Sequence, residues 1–256
     1  MEADRLDTLF DLTGRTAIVT GATRGIGRSI SEAFAAAGAN VVAASRKPDA
    51  CAETEAHLRS MGAEAVGVAA NMGDPDTPAA LVAAALDAFG GLDIVVNNAA
   101  NALALPVGQQ TVEGWQKSFD VNLRGPALLL QAAAPELAKS DHASVINVIS
   151  VGAFQFAQGV SLYASMKAAL LSVTRSFAAE LAPSGIRINA LAPGPTDTDM
   201  VRNLGEGAAE AMSASTLLRR PAHPDELAGP ALFLASDASS YMTGQVLVID
   251  GGMHPH

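Results

Sequence analysis

The feature that most constrains this chain is a set of short apolar runs that lack polar alternation and take turns with helical patterns. Thr16–Thr20, Asn40–Ala44, Ala65–Ala69, Ile94–Asn97, Ser144–Ile149, Arg187–Leu191 and Val246–Ile249 read as strands, bounded by Gly, Asn, Asp or Pro. Strands with aliphatic side chains on both faces must be covered on both faces, which calls for parallel pairing through helical crossovers. Helical patterns fill the intervals at Arg28–Ala37, closed by Gly38, Pro75–Phe89, closed by Gly90, Val112–Lys139, Leu162–Leu181, closed by Pro183, and Pro224–Ala235. Pro126 and Pro135 lie inside the Val112–Lys139 pattern, so that stretch is expected to kink or to split, with Pro126 opening a second helix. No repeat, linker or low-complexity tract divides the sequence. The expectation is one α/β domain over residues 1–256, a doubly wound, seven-stranded parallel sheet flanked by helices.

Composition narrows the function classes. The 256 residues are 49% hydrophobic and 16% charged, as in a compact globular chain, and are enough to bury a large core. A net charge of -10 without a Lys/Arg run argues against nucleic acid as a partner. Apolar stretches are cut by Asp87, Pro135 or Lys167 short of a membrane span, and residues 1–15 lack a basic leader, so neither membrane nor export is expected. The one cysteine, Cys51, forms no intrachain disulfide, suits a reducing cytoplasm and reads as a small filler on a helix. No metal site is read from the sequence.

Between the first strand and the first helix lies Thr20-Gly21-Ala22-Thr23-Arg24-Gly25-Ile26-Gly27. Glycines at such a junction allow a sharp turn and close approach of a pyrophosphate to the helix N-terminus, where free N–H groups and the helix dipole favour anions. In this strand–helix context, the loop points to a dinucleotide, although glycines also serve plain turns. The end of the second strand decides which dinucleotide. An acid there would accept from free ribose hydroxyls, whereas a 2′-phosphate needs cations. Ser45 stands where the acid would be, Arg46 follows it, and Arg24 can approach from the other side, so NADP(H) is expected over NAD(H). The alternative is that Arg46 and Lys47 form a solvated helix start.

Tyr163-Ala164-Ser165-Met166-Lys167 places a phenol and an ammonium one helical turn apart on one face. Bringing a phenol from near 10 to about 7 takes roughly 4 kcal/mol of preferential stabilisation of the phenolate, which a lysine cation and an oxidised nicotinamide ring would jointly supply. Taken alone, a Tyr-x3-Lys pair also occurs by chance on amphipathic helices.

Taken together, the glycine loop, Asn97-Asn98-Ala99-Ala100, Asn122, Ser150, Tyr163 with Lys167, Pro193-Gly194 and the ending Asp250-Gly251-Gly252 resemble the short-chain dehydrogenase/reductase family, from Gly14 to Gly252. The resemblance implies a Rossmann-like fold and hydride transfer between nicotinamide and a carbonyl or secondary alcohol, with Tyr163 as acid/base. It further implies that Ser150 holds the reacting oxygen, that Lys167 lowers the tyrosine pKa and holds the nicotinamide ribose, and that Asn122 anchors a water linking Lys167 to solvent. Gly21, Thr23, Arg24, Gly25, Ile26, Gly27, Ser45 and Arg46 would bind the cofactor. So would Asn71, Met72, Asn98, Ala99, Ala100, Pro193, Gly194, Thr196 and Thr198. A homotetramer is implied as well.

Two positions depart from the family pattern: Ala100 stands where glycine is usual, and Asn71 stands where an aspartate commonly accepts from adenine, so acceptance there lacks charge assistance. A lid at about 195–220 carries Met200, Val201, Leu204, Met212, Leu217 and Leu218, and Leu103, Leu105, Phe154 and Phe156 neighbour the site, which favours a hydrophobic small molecule. Little positive charge borders Gln131–Glu136 or Phe177–Leu181, so a free ketone or alcohol is favoured over a carrier-bound thioester. The alternatives are a 3-oxoacyl-thioester reductase and a non-catalytic NADP-binding regulator.

Overall fold

The structure, a computed structural model, describes residues 8–155, 158–203, 205 and 207–254. Seven strands, β1 (Thr16–Thr20), β2 (Asn40–Ser45), β3 (Ala65–Ala69), β4 (Ile94–Asn97), β5 (Ser144–Val148), β6 (Arg187–Pro193) and β7 (Val246–Ile249), form one sheet in the order β3-β2-β1-β4-β5-β6-β7. Every neighbouring pair is parallel. The expected Rossmann-like, doubly wound architecture is therefore present, and its strands fall where the apolar runs predict them, with ends shifted by one or two residues. Burial explains the continuous runs. Ala17 and Val19 belong to the core on one face of the sheet, and Ile18 belongs to the core on the other. Val41 and Val42 divide in the same way, so consecutive positions are all apolar.

The helices are α1 (Gly25–Ala36), α2 (Pro48–Ser60), α3 (Thr77–Phe89), α4 (Val112–Phe119), α5 (Gly125–Leu137), α6 (Ser161–Leu181), α7 (Asp199–Arg202), α8 (Ala208–Ser213) and α9 (Ala228–Ala235). Ile30 and Phe34 of α1 and Leu234 of α9 cover one face, and Leu81 of α3, Leu129 and Leu130 of α5 and Ala178 of α6 cover the other. Helix α2 is absent from the helical patterns in the sequence because it carries only a thin buried stripe, Cys51, Thr54 and Leu58. It is held instead by backbone proximity. A Cβ at Gly67 of β3 would collide with the Cys51 carbonyl. Cys51 itself is buried and donates to the Ser45 and Val68 carbonyls at 3.3 Å each, in keeping with a packing role.

The Val112–Lys139 stretch does split, but without leaving helical dihedrals. Between α4 and α5, Asp120–Arg124 form a π-helical turn, with the Gly125 N–H donating to the Asp120 carbonyl five residues back. Pro126 then sits in the first turn of α5, where its missing N–H is harmless. Pro135 stays inside α5 near its end. The wide turn brings Gly125 against the Met72 carbonyl, so closely that a Cβ at Gly125 would overlap it.

All seven strands point their C-terminal ends to one edge, and the chain winds from β1 toward β3 on one side and from β4 toward β7 on the other. The crevice that opens where the two halves diverge has a volume of about 1330 Å³ and is bordered by Thr20, Ser45, Asn98, Val148 and Pro193. Among the described residues, no helix is long and apolar enough to cross a membrane.

The close approach at Gly125 makes a prediction. Gly125→Ala should cost about 1–3 kcal/mol, because the added methyl meets rigid backbone rather than a movable side chain. Urea unfolding measures this, and an unchanged midpoint would contradict the contact.

Candidate active site

The glycine loop forms the floor of the crevice between β1 and α1. Gly21 and Gly25 adopt positive φ of 69° and 52°, which disfavours any other residue. A Cβ at Gly27 would collide with the Gly21 carbonyl and the Asn98 amide, so the loop can pass under a ligand only as glycine. Asn98 braces it, donating through Nδ2 to the Thr20 carbonyl at 2.8 Å and the Gly21 carbonyl at 3.3 Å. The Thr20 hydroxyl accepts the N–H groups of Asn98 and Ala99, both at 3.0 Å. Ala99 and Ala100 border the crevice alongside them. This rigid, side-chain-free cradle at a helix N-terminus fits the pyrophosphate of a dinucleotide.

Beyond the cradle, Thr23 donates through Oγ1 to Ser45 Oγ at 3.0 Å, and Arg46 is exposed beside them. Arg24 faces the same crevice, but its Nη1 donates to Asp199 Oδ2 at 3.3 Å rather than reaching toward Arg46. Asn71 and Met72 border the crevice as expected, and Asn71 Oδ1 accepts the Gly73 N–H at 3.2 Å. On the opposite wall, Gly194 packs on Asp250, where a Cβ would lie 2.6 Å from the Asp250 Cα. Pro193, Gly194, Thr196 and Thr198 all contribute to that wall, with the Thr196 hydroxyl donating to the Gly194 carbonyl at 3.1 Å.

At the inner end the structure brings Ser150, Tyr163 and Lys167 together. Ser150 follows β5 and caps a short turn, its Oγ accepting the Gly152 N–H at 3.1 Å, and it also hydrogen-bonds the Tyr163 phenol. Lys167, one turn along α6, is 1% exposed, donates to the Val148 carbonyl at 2.7 Å and lies 5.6 Å from the centre of the Tyr163 ring. The tyrosine is half-buried and forms part of the crevice wall. Burial pushes the phenol up to about 12, against the opposing effect of the Ser150 hydrogen bond. Burial likewise pushes Lys167 down to about 7. Burial thus moves each group toward its neutral form, and the phenol is held protonated.

The Asn122 side chain is held by the loop after β4 and by α4. Its Oδ1 accepts the Asn101 N–H at 3.0 Å, and its Nδ2 donates to the Asn101 carbonyl and Oδ1 at 3.0 Å each and to Ser118 Oγ at 3.1 Å. The amide is fully engaged in pinning the loop after β4 and does not border the crevice.

The expected apolar residues divide. Met200, Val201 and Met212 border the crevice, whereas Leu217 and Leu218 are exposed and lie against Gly252 and Gly251. Leu103 and Leu105 do not border it, and Leu105 packs near Gly114 of α4. Phe154 turns away to stack on His254, ring centres 5.7 Å apart. Leu204 and Phe156 lie outside the described residues. Sequence reasoning missed Gln155, Gln158, Gln116, Lys117 and Met253, which do border the crevice. Gln155 and Gln158 follow Ser150 closely enough to be suspected from proximity, but Met253 arrives only because β7 pairs with β6, whose end carries Pro193 and Gly194.

An α/β dinucleotide cradle beside a Ser–Tyr–Lys cluster defines a class of nicotinamide-dependent oxidoreductases, and comparison with known proteins agrees. Residues 21–254 match a family model described as enoyl-(acyl carrier protein) reductase. The human protein dehydrogenase/reductase SDR family member 4 is 38% identical over 244 residues, covering 94% of this chain and 88% of the relative. The 3-oxoacyl-[acyl-carrier-protein] reductase of Synechocystis sp. is 37% identical, covering 94% and 98%. The crystal structure of blue fluorescent protein from a metagenomic library, in complex with NADPH, superposes with a TM-score of 0.90 at 34% identity, covering 96% of this chain and all of that one. This chain belongs to the short-chain dehydrogenase/reductase family and is an alcohol/carbonyl oxidoreductase that uses NAD(P).

The buried lysine makes a prediction about the cofactor-free protein. Its folded pKa lies near 7 and its unfolded value near 10.5, so between these the unfolded chain binds the extra proton. The stability contribution of Lys167 is fully present above the unfolded value and is lost as pH falls toward 7. Wild type should therefore gain stability relative to Lys167→Met as pH rises from about 7 to 9.5, below the range where Tyr163 begins to titrate in the unfolded chain. Chemical denaturation at several pH values checks it, and a flat difference would place the ammonium in water.

Proposed function

We propose that this protein is an NADP-dependent reductase or dehydrogenase of a free small ketone or secondary alcohol, with Tyr163 as its acid/base. The observation that carries the reading is the Ser150–Tyr163–Lys167 cluster at the inner end of the glycine-floored crevice. Bound in the cradle, the nicotinamide cofactor supplies or takes up the hydride. Tyr163 gives its phenolic proton to the oxygen of the carbonyl being reduced, a role suited to a group held protonated to about 12. Ser150 orients that oxygen, and Lys167, anchored on the Val148 carbonyl, holds the cofactor's ribose and favours the phenolate when the reaction runs toward oxidation. The Asn122 side chain serves the loop after β4 rather than the proton path.

Ser45 in place of an acid, followed by the exposed Arg46, supports NADP(H) over NAD(H). Asn71 and Met72 on one wall and Pro193, Gly194, Thr196 and Thr198 on the other would enclose the adenine and nicotinamide ends. The chain acts as one domain, with residues 195–220 as the lid over the substrate. Met200, Val201, Met212 and Met253 favour an apolar substrate body, while Gln155 and Gln158 offer neutral hydrogen bonds to a second polar group. The family likeness supports a homotetramer, and a single cysteine suits the cytoplasm. The Synechocystis relative's name suggests a thioester substrate, but this chain carries little positive charge on the helices that would receive an acidic carrier.

Turnover with a panel of ketones and alcohols, each with both cofactors, tests the reading. Tyr163→Phe should lower kcat by about 10²-fold or more while cofactor affinity stays near wild type. Oxidation should accelerate as pH rises toward the phenol's range. An NADH rate equal to the NADPH rate would count against the roles given to Ser45 and Arg46, and full activity in Tyr163→Phe would remove the acid/base assignment.

A further inference from the structure

We propose that Asp199 is a positioning residue that limits how strongly this site favours the 2′-phosphorylated dinucleotide, by competing with that phosphate for Arg24. The inference rests on the NADP reading above and deepens it.

Arg24 is the N-cap of α1, in extended backbone with φ -162° and ψ 164°, and its side chain leaves the glycine loop toward the lid. There Nη1 meets Asp199 Oδ2 at 3.3 Å. The two can meet because the root of the lid rests on the loop itself. A Cβ at Gly25 would lie 3.2 Å from Thr198 Cγ2, one residue before Asp199. The packing of Thr198 beside Gly25 thus places Asp199 next to the glycine loop.

The pair is built to exchange. The side chains of Arg24 and Asp199 are 66% and 48% exposed, and a single monodentate contact at this distance between solvated groups is weak. When Arg24 leaves, Asp199 keeps a second cation, because its other oxygen lies 3.5 Å from Arg202 Nη1. Arg202 is itself fixed by a closer bond from Nε to Asp197 at 2.7 Å. A phosphate presents several charged oxygens that a guanidinium can engage in pairs, a stronger arrangement than one carboxylate oxygen. Ser45 and Arg46, where that phosphate would sit, border the same crevice as Arg24 and Asp199. Binding the phosphorylated cofactor therefore requires Arg24 to give up Asp199. Binding the unphosphorylated cofactor does not.

The test measures dissociation constants for NADPH and NADH, by cofactor fluorescence, on the intact protein and on Asp199→Asn, Asp199→Glu, Arg24→Ala and the Arg24→Ala/Asp199→Asn pair. Asp199→Asn should bind NADPH ~3-fold more tightly, the size expected from releasing one exposed ion pair, with NADH affinity unchanged. Asp199→Glu, which keeps the charge, should stay near wild type. Arg24→Ala should weaken NADPH, and adding Asp199→Asn to it should produce no further gain. NADH serves as the control for a merely structural effect, which would shift both cofactors alike. If Arg24→Ala weakens NADPH while Asp199→Asn leaves it unchanged or weaker, the competition is overturned and the NADP reading stands. If the wild-type protein binds NADH as tightly as NADPH, the reading beneath the inference fails.

Discussion

The Thr20 hydroxyl is the small knot on which the active-site edge depends. It donates to the Val96 carbonyl at 3.1 Å and accepts the N–H groups of Asn98 and Ala99 at 3.0 Å each, so it joins the end of β1 to the end of β4. These are the two central strands, where the chain's winding reverses and the backbone connections separate. At such a point the ladder of sheet hydrogen bonds runs out, and backbone groups at the strand ends need other partners. One threonine hydroxyl engages two N–H groups and one carbonyl. Asn98 adds two more bonds to the Thr20 and Gly21 carbonyls. The glycine loop is thus fixed from beneath, leaving its upper surface open.

The inner end of the crevice follows a different principle. Ser150, Tyr163 and Lys167 are held by burial rather than by ion pairing, and burial moves the phenol and the ammonium in opposite directions, each toward its neutral form. The phenol is held protonated beside a lysine anchored on the Val148 carbonyl, so the cluster is not a pre-formed phenolate–ammonium pair.

The lid joins these two regions. Its root sits on Gly25 through Thr198, its charges reach Arg24, and its apolar residues Met200, Val201 and Met212 face the crevice. The tail completes the enclosure. Asp250 accepts the Gly252 and His254 N–H groups at 2.9 and 2.8 Å, and His254 stacks on Phe154. Phe154 is consequently engaged as packing, and Gln155 lies in the crevice wall instead.

The amino-acid sequence determined the doubly wound sheet, because strands covered on both faces must be aliphatic at consecutive positions, and Ile18 beside Val19 records that directly. It also determined the glycine cradle and the Tyr163–Lys167 pairing, since positive φ and one-turn spacing are local properties of the chain. The extent of helix α2 was not legible, although Cys51 was read on a helix, because α2 is held by the approach of the Cys51 backbone to Gly67 and carries almost no apolar stripe. The fate of Asn122, the turning of Arg24 to Asp199, the exit of Phe154 and the arrival of Met253 were decided by tertiary structure alone. Each depends on which partner lies within about 3–4 Å once distant segments meet, and local propensity and periodicity carry no information about that distance.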